Sequence, residues 1–270
     1  MSAFADAVRY ETVRIRTLRS TWWLTGLAIV LAVGISTLMA WAVHHDVTTH
    51  GSTDLEGLGP IVVTQLAATG QVPSLVAFLL AMIGVFAWGH EYRHGMIRAS
   101  LTALPSRPAF WAAKFLVCGL WVAATAATAF VLAGLAATAF LHDVVTVLDG
   151  QTWGFIGRTV LYAVLLTWLG MAFTALTRSQ AFALVALFLW PLLIENIVDL
   201  FLHLVPGLRD HAELARFLPF KAGSQLLDVL TPGDTTFGSP LDALGGGLVF
   251  GGTAAVLAVA SYVAFRRRDA

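Results

Sequence analysis

Long apolar runs alternate with short polar stretches along most of the chain. Six of these runs approach or exceed the roughly 20 apolar residues that a helix needs to cross a bilayer. The pattern predicts an all-α, polytopic integral membrane protein with about six transmembrane helices. A further apolar stretch at 60–70 is interpreted as a short helix on the outer surface, so the count carries a margin of one span. The predicted spans are 22–43, 72–89, 113–141, 154–176, 181–203 and 243–265.

Composition excludes a soluble globular protein. Of the 270 residues, 58% are hydrophobic and 12% are charged, whereas about a quarter of the residues in a soluble domain are charged. The 16 Lys and Arg residues equal the 16 Asp and Glu residues in number, so no net basic field supports nucleic-acid binding. The single cysteine, Cys118, lies in an apolar run and has no partner for an intrachain disulfide.

The cations are distributed unequally between the two sides of the predicted membrane domain. Twelve lie on the side of the termini and four lie on the other side or just inside it. Because cytoplasmic loops carry the excess of Lys and Arg, we expect both termini in the cytoplasm and a multi-pass location in the cell (plasma) membrane. The twelve are Arg9, Arg14, Arg16, Arg19, Arg93, Arg98, Arg107, Lys114, Arg178, Arg266, Arg267 and Arg268.

The sequence divides into three parts. Residues 1–21 place Phe4, Val8 and Ile15 at helical spacing, with arginines on other faces, which is typical of an amphipathic helix lying along the lipid headgroups. Residues 22–265 form the predicted six-helix transmembrane domain, and 266–270 form a basic cytoplasmic tail.

Prolines interrupt the outer segment 204–240 that follows the fifth span. Phe217–Phe220 and Leu226–Leu227 are apolar enough to fold back toward the bilayer. Such a return is tolerated only where protein covers the backbone. The prolines are Pro206, Pro219, Pro232 and Pro240.

The segment 89–112, between the second and third spans, predicts a short cytoplasmic helix with a basic side and an apolar side. On cation count alone, this segment would serve only to orient the chain in the membrane. Its two sides also suit a coupling element, which must dock into a partner while staying attached to spans that move. The charged docking groups would be Arg93, Arg98 and Arg107, the anchor face Met96, Ile97 and Leu101, and the bend out of the second span Gly95.

A different pattern overlaps this segment. His90-Glu91-Tyr92-Arg93-His94 fits H-E-x-x-H, the zinc-protease motif, and Asp149 or Glu195 could be a third ligand. The predicted topology places Asp149 on the outer side and Glu195 about 20 Å deep in the fifth span, far beyond a metal–ligand bond of about 2 Å. We therefore assign no metal site and keep a membrane-embedded zinc metalloprotease using His90, Glu91 and His94 as the alternative.

The same stretch resembles the permeases of the ABC-2 type transporter family. The similarity covers about two dozen residues, and the layout of interfacial helix, six spans and Pro-broken outer segment with Leu218-Pro219-Phe220 is similar over the full length. The positions that carry the pattern are Glu91, Tyr92, Arg93, Gly95, Met96-Ile97-Arg98, Ser100-Leu101, Pro105, Arg107 and Ala113-Lys114.

The resemblance implies a permease subunit of an exporter for a lipid-like, peptide or drug-like substrate. No G-x-x-x-x-G-K-[ST] motif occurs in the sequence. ATP and Mg would therefore bind to a separate ATP-binding cassette ATPase subunit, and a second permease chain, identical or related, would complete the route. A membrane anchor or sensor without a transport role is a third hypothesis. The residues implied to couple to the ATPase are Glu91, Arg93, Gly95, Arg98, Pro105 and Arg107.

Two acids lie within the fifth predicted span, one helical turn apart. Acids within a bilayer are costly and usually face a cavity or a partner. Glu195 and Asp199 could line the translocation path, or the span could end near Pro191 and leave both at the outer interface.

Overall fold

The computed structural model describes residues 3–50, 63–64, 71–103, 106–141, 150–205, 207–228 and 241–268. No strand occurs in these ranges. The helices are α1 (Ala3–Thr17), α2 (Arg19–His50), α3 (Gln71–Arg93), α4 (Ile97–Ala103), α5 (Arg107–Leu141), α6 (Gly150–Thr177), α7 (Gln180–Leu189), a π-helical turn (Trp190–Ile194), α8 (Glu195–Leu204), a 3-10 helix (Arg209–Phe217), α9 (Pro219–Ser224) and α10 (Ala243–Arg268).

Within the described ranges, six helices are long and apolar enough to cross a membrane, which confirms the predicted all-α, polytopic fold. The predicted surface helix at 60–70 falls almost entirely outside the described residues. The spans are Arg19–Thr49, Val72–Arg93, Arg107–Leu141, Thr152–Thr177, Gln180–Leu204 and Ala243–Arg267.

Helices α3 and α6 form the centre of the bundle, where most of each span is buried. They approach closely at Gly84, where a Cβ atom would come 2.6 Å from Thr167 Cγ2. Small residues at helix crossings allow this approach, because packing within a membrane depends on close backbone contact. The spans in α2, α7–α8 and α10 lie at the periphery, and less than a third of each is buried.

Both termini lie at one end of the bundle, called here the terminal end. Phe265 near the end of α10 packs edge-on against Trp88 of α3, with ring centroids 5.5 Å apart, and stacks on Phe110 of α5 at 6.2 Å. Helix α1 contacts the same end of α5 through Glu11. Because the chain crosses the bundle an even number of times, its first and last helices must reach the same end. The opposite end is called the distal end.

The fifth span does not end at Pro191. Proline lacks the backbone N–H of a regular helix, and the chain accommodates it in the π-helical turn before continuing as α8. The Asn196 side chain donates to the carbonyls of Pro191 at 3.1 Å and Leu192 at 2.9 Å. Glu195 and Asp199 therefore lie within a continuous helix.

The described part of the outer segment, 207–228, folds back against the distal end of the bundle. Phe220, Leu226 and Leu227 are buried, whereas Phe217 is exposed. Gly223 of α9 packs directly on the ring of Phe250 in α10, where a Cβ atom would come within 2.9 Å of the ring. The spans thus cover the returning backbone, as a return toward the bilayer requires.

Candidate functional site

Four charged side chains meet in the interior of the terminal end. Lys114 Nζ of α5 lies 2.6 Å from Glu11 Oε1 of α1 and 2.7 Å from Glu91 Oε1 of α3. Arg14 Nη2 lies 2.8 Å from Glu11 Oε2, and Arg14 Nη1 donates to the carbonyl of Ala87 at 3.0 Å. Lys114 is fully buried, and Glu11 and Glu91 nearly so. We call Glu11, Arg14, Glu91 and Lys114 the ion cluster.

The ion cluster balances two carboxylates against two cations. Burial alone would raise the pKa of Glu11, but the Lys114 ammonium and the Arg14 guanidinium outweigh it and hold that pKa below its usual value. Lys114 Nζ also lies 4.6 Å from the ring centroid of Phe110 and 5.2 Å from that of Trp88. Removing one partner from such a cluster leaves an uncompensated buried charge.

Local sequence explains how α1 presents Glu11. The buried residues of α1 are Ala7, Glu11 and Ile15, spaced one helical turn apart on one face. Phe4, predicted to lie on the apolar face of α1, is 43% exposed and does not belong to this buried face. The face that α1 turns to the bundle is therefore small and apolar around a single acid.

The bend out of α3 is a Schellman motif centred on Gly95. The Met96 N–H donates to the Glu91 carbonyl at 2.9 Å, and the Gly95 N–H donates to the Tyr92 carbonyl at 3.3 Å. Gly95 has a φ of 64°, the left-handed conformation that this cap requires. The bend predicted at Gly95 is confirmed, and α4 begins two residues later.

Helix α4 is held against α1 as well as joined to α3. Tyr10 Oη and Ser100 Oγ are 3.1 Å apart, within hydrogen-bond distance, and Ser100 is buried. The first helix thus contacts α4 through Tyr10, α3 through Arg14 and α5 through Glu11.

The predicted coupling residues occupy different environments. Arg93 is exposed and borders a groove of about 470 Å³ that Tyr92 and Arg178 also line. Arg107 begins α5, and its Nη1 lies 3.5 Å from the Arg266 carbonyl. Arg98 lies on α4 with its side chain outside the described residues, and Pro105 lies outside them altogether.

Glu91 differs from the arginines because it points inward. It is 3% exposed and belongs to the ion cluster, so its side chain would act on a partner only indirectly. Sequence reasoning missed Glu11 and Arg14 as its companions. The available signals were an acid between Ala7 and Ile15 on one face of α1, and a lysine inside an apolar run of α5.

The H-E-x-x-H residues do not assemble a zinc site. The His90 and His94 ring centroids are 6.4 Å apart with planes tilted by 55°, and His90 stacks on Phe86. The carboxylate of Glu91 pairs with Lys114 in the interior, where it has no access to a water molecule that it could activate. Within the described ranges, which exclude Asp149, no three His, Cys, Asp or Glu residues are placed to hold a metal.

Glu195 lies at the distal end, where it lines a cavity. Its Oε1 and Oε2 accept hydrogen bonds from the Phe220 and Lys221 N–H groups, each at 2.8 Å, so that the carboxylate caps α9. Lys221 Nζ in turn lies 2.6 Å from Asp199 Oδ2. The cavity has a volume of about 740 Å³ and extends between α2, α3, the π-helical turn and α9.

No protein-family model matches the chain, and no curated protein matches it significantly.

Proposed function

We propose that this chain is the permease subunit of an ABC-2 type exporter. It would form the transmembrane route for a lipid-like, peptide or drug-like substrate, and a separate ATP-binding cassette subunit would hydrolyse ATP with Mg. The observation that carries the proposal is the coupling segment, 89–112. It presents Arg93 and Met96 to solvent, and it is connected to α1, α3 and α5.

The connections around this segment suit the transmission of force. A displacement of α4 by a docked partner would move α1 through Tyr10 and Ser100, and α3 through the capped bend at Gly95. The ion cluster would pass that displacement to α5, because Lys114 contacts both Glu11 and Glu91. A loop that served only to orient the chain would need none of these buried contacts.

The cavity at the distal end supplies a candidate part of the route. Its volume of about 740 Å³ lies in the range of small-molecule binding sites. Glu195 lines it, whereas Asp199 pairs with Lys221 beside it. Of the two acids predicted for the path, we retain Glu195 as a lining residue and assign Asp199 to holding α9.

The exposed spans suit the other expected partners. Helices α2 and α10 expose large apolar residues along their length, such as Trp23 and Leu248. Such surfaces require the lipid bilayer or a second permease chain, and the proposed assembly has both.

Site-specific cross-linking tests the docking role. In a Cys118→Ser background, Met96→Cys places a thiol on the coupling segment, and Leu248→Cys places one on α10 near the distal end; both native side chains are exposed. Cross-linking in membranes of the native host should join Met96→Cys, and not Leu248→Cys, to a P-loop ATPase. An ATPase that co-purifies with Met96→Cys but never cross-links to it would overturn the role of this segment.

A further inference from the structure

The distal cavity has an aromatic wall and one acidic group. Phe78, Tyr162, Phe188 and Phe220 line it together with Glu195. Aromatic faces attract organic cations electrostatically, and the attraction strengthens where water is excluded. An aromatic wall with an acidic group therefore favours a ligand that is both apolar and positively charged.

The wall of the cavity carries one acid, Glu195, and one base, Lys221. The ammonium of Lys221 lies 2.6 Å from Asp199 and offsets that carboxylate. Glu195 has no side-chain cation within salt-bridge distance among the described residues, and its carboxylate accepts two backbone N–H bonds. Glu195 is therefore the group of the wall that the positive centre of a ligand would approach.

The cavity reaches the surface of the chain at the π-helical turn of the fifth span. Pro191 and Leu192 of the π-helical turn line the cavity, and Leu192 is 57% exposed on the outer face of the bundle. Single π-helical turns within α-helices occur frequently at functional sites. An amphiphile dissolved in the bilayer could therefore reach the cavity from the side.

We propose that this cavity binds a lipophilic organic cation, with its apolar body against the aromatic wall and its positive centre toward Glu195. Binding is a property of this chain alone. That the bound cation is also the exported substrate rests on the proposed function.

Tetraphenylphosphonium is a suitable probe, and tetraphenylborate is its matched control, because the two ions share shape and apolarity and differ in charge. The purified full chain in lipid nanodiscs would be titrated with each ion in labelled form. Specific binding is the amount of labelled ion that excess unlabelled ion displaces, after the same amount for nanodiscs without protein is subtracted. We expect saturable binding of about one phosphonium per chain, at least tenfold tighter than binding of the borate.

Two variants locate the site. Leu192→Trp should fill the cavity and weaken phosphonium binding at least tenfold, whereas Leu200→Trp on the same span should leave it unchanged, since Leu200 is equally exposed and lines no part of the cavity. Glu195→Gln keeps an acceptor for α9 and removes the charge, and it should weaken phosphonium binding and erase the preference over borate.

Equal or tighter borate binding would overturn the charge assignment, and unchanged binding in Leu192→Trp would overturn the location. Thiol labelling of buried Cys118 checks that each variant is folded. Since the assay contains no ATPase, a failure here leaves the exporter proposal standing. Conversely, a folded chain recovered from its native host without an ATPase would refute the exporter, and saturable phosphonium binding would still establish the site.

Discussion

The ammonium of Lys114 and the carboxylate of Glu11 lie 2.6 Å apart in the interior of the protein, although 103 positions separate them in the chain. This contact joins the helix that precedes the first span to the start of the third span. It ties α1, which the sequence pattern predicts to lie along the lipid headgroups, to the bundle.

The two lysines of the chain should differ sharply in their effect on stability. Lys114→Met leaves Glu11 and Glu91 facing each other without Lys114 and should cost about 3 to 5 kcal/mol. Lys221→Met removes a cation that is about one-third exposed and should cost about 1 kcal/mol or less. Thermal unfolding, followed by dye labelling of the single buried Cys118, measures both. Similar midpoints for the two variants would contradict the importance of the ion cluster.

Removing a second charge should restore part of what Lys114→Met loses. The ion cluster has two acids and two bases, so Glu91→Met combined with Lys114→Met leaves Glu11 paired with Arg14, 2.8 Å away. A balanced pair costs less than an uncompensated charge. We expect the double variant to unfold at a higher temperature than Lys114→Met alone. If the midpoint of the double variant fell by the sum of the falls in the two single variants, Glu91 and Lys114 would act independently.

Acid should weaken the attachment of α1. The pKa of Glu11 is lower in the folded protein than its usual value of 4.5, so its stabilising contribution is complete above about pH 4.5. That contribution is lost as the pH falls through the lower, folded-state value. Between pH 4.5 and pH 3 the unfolding midpoint of the wild-type protein should therefore fall more steeply than that of Glu11→Gln. Parallel curves would show that Glu11 is not held as a carboxylate.

The bend at Gly95 should tolerate no side chain without strain. Gly95 has a φ of 64° with open space around its Cα, so Gly95→Ala tests backbone conformation alone and should cost about 1 to 2 kcal/mol. Gly157 of α6 also has open space and has no positive φ, and Gly157→Ala should be neutral or stabilising because alanine favours helices. Unfolding midpoints that fall equally in both variants would contradict the cap.

The parts of the fold that depend on local sequence could be predicted. Six spans follow from the apolar runs, and the bend at Gly95 follows from the residue type that a left-handed cap needs. The π-helical turn could not be read from Pro191, because a proline predicts the end of a helix as readily as a distortion within it.

Contacts between distant residues could not be predicted. The sequence motif groups Glu91 with the exposed arginines. Only the packing of α1 and α5 shows that the Glu91 side chain points inward. Glu195 was identified as an unusual acid within a span. Its partners, the first N–H groups of α9, lie 25 and 26 positions away and depend on how the outer segment folds back.

Purification of the tagged chain from its native host in mild detergent, with mass spectrometry of the proteins that accompany it, tests the central proposal most directly. We expect a near-stoichiometric P-loop ATPase to accompany the chain. The ATPase should be retained in a Leu248→Ala control and depleted when Arg93 and Arg98 are both replaced by glutamate. A stable, folded chain that is recovered with no ATPase would contradict the exporter function.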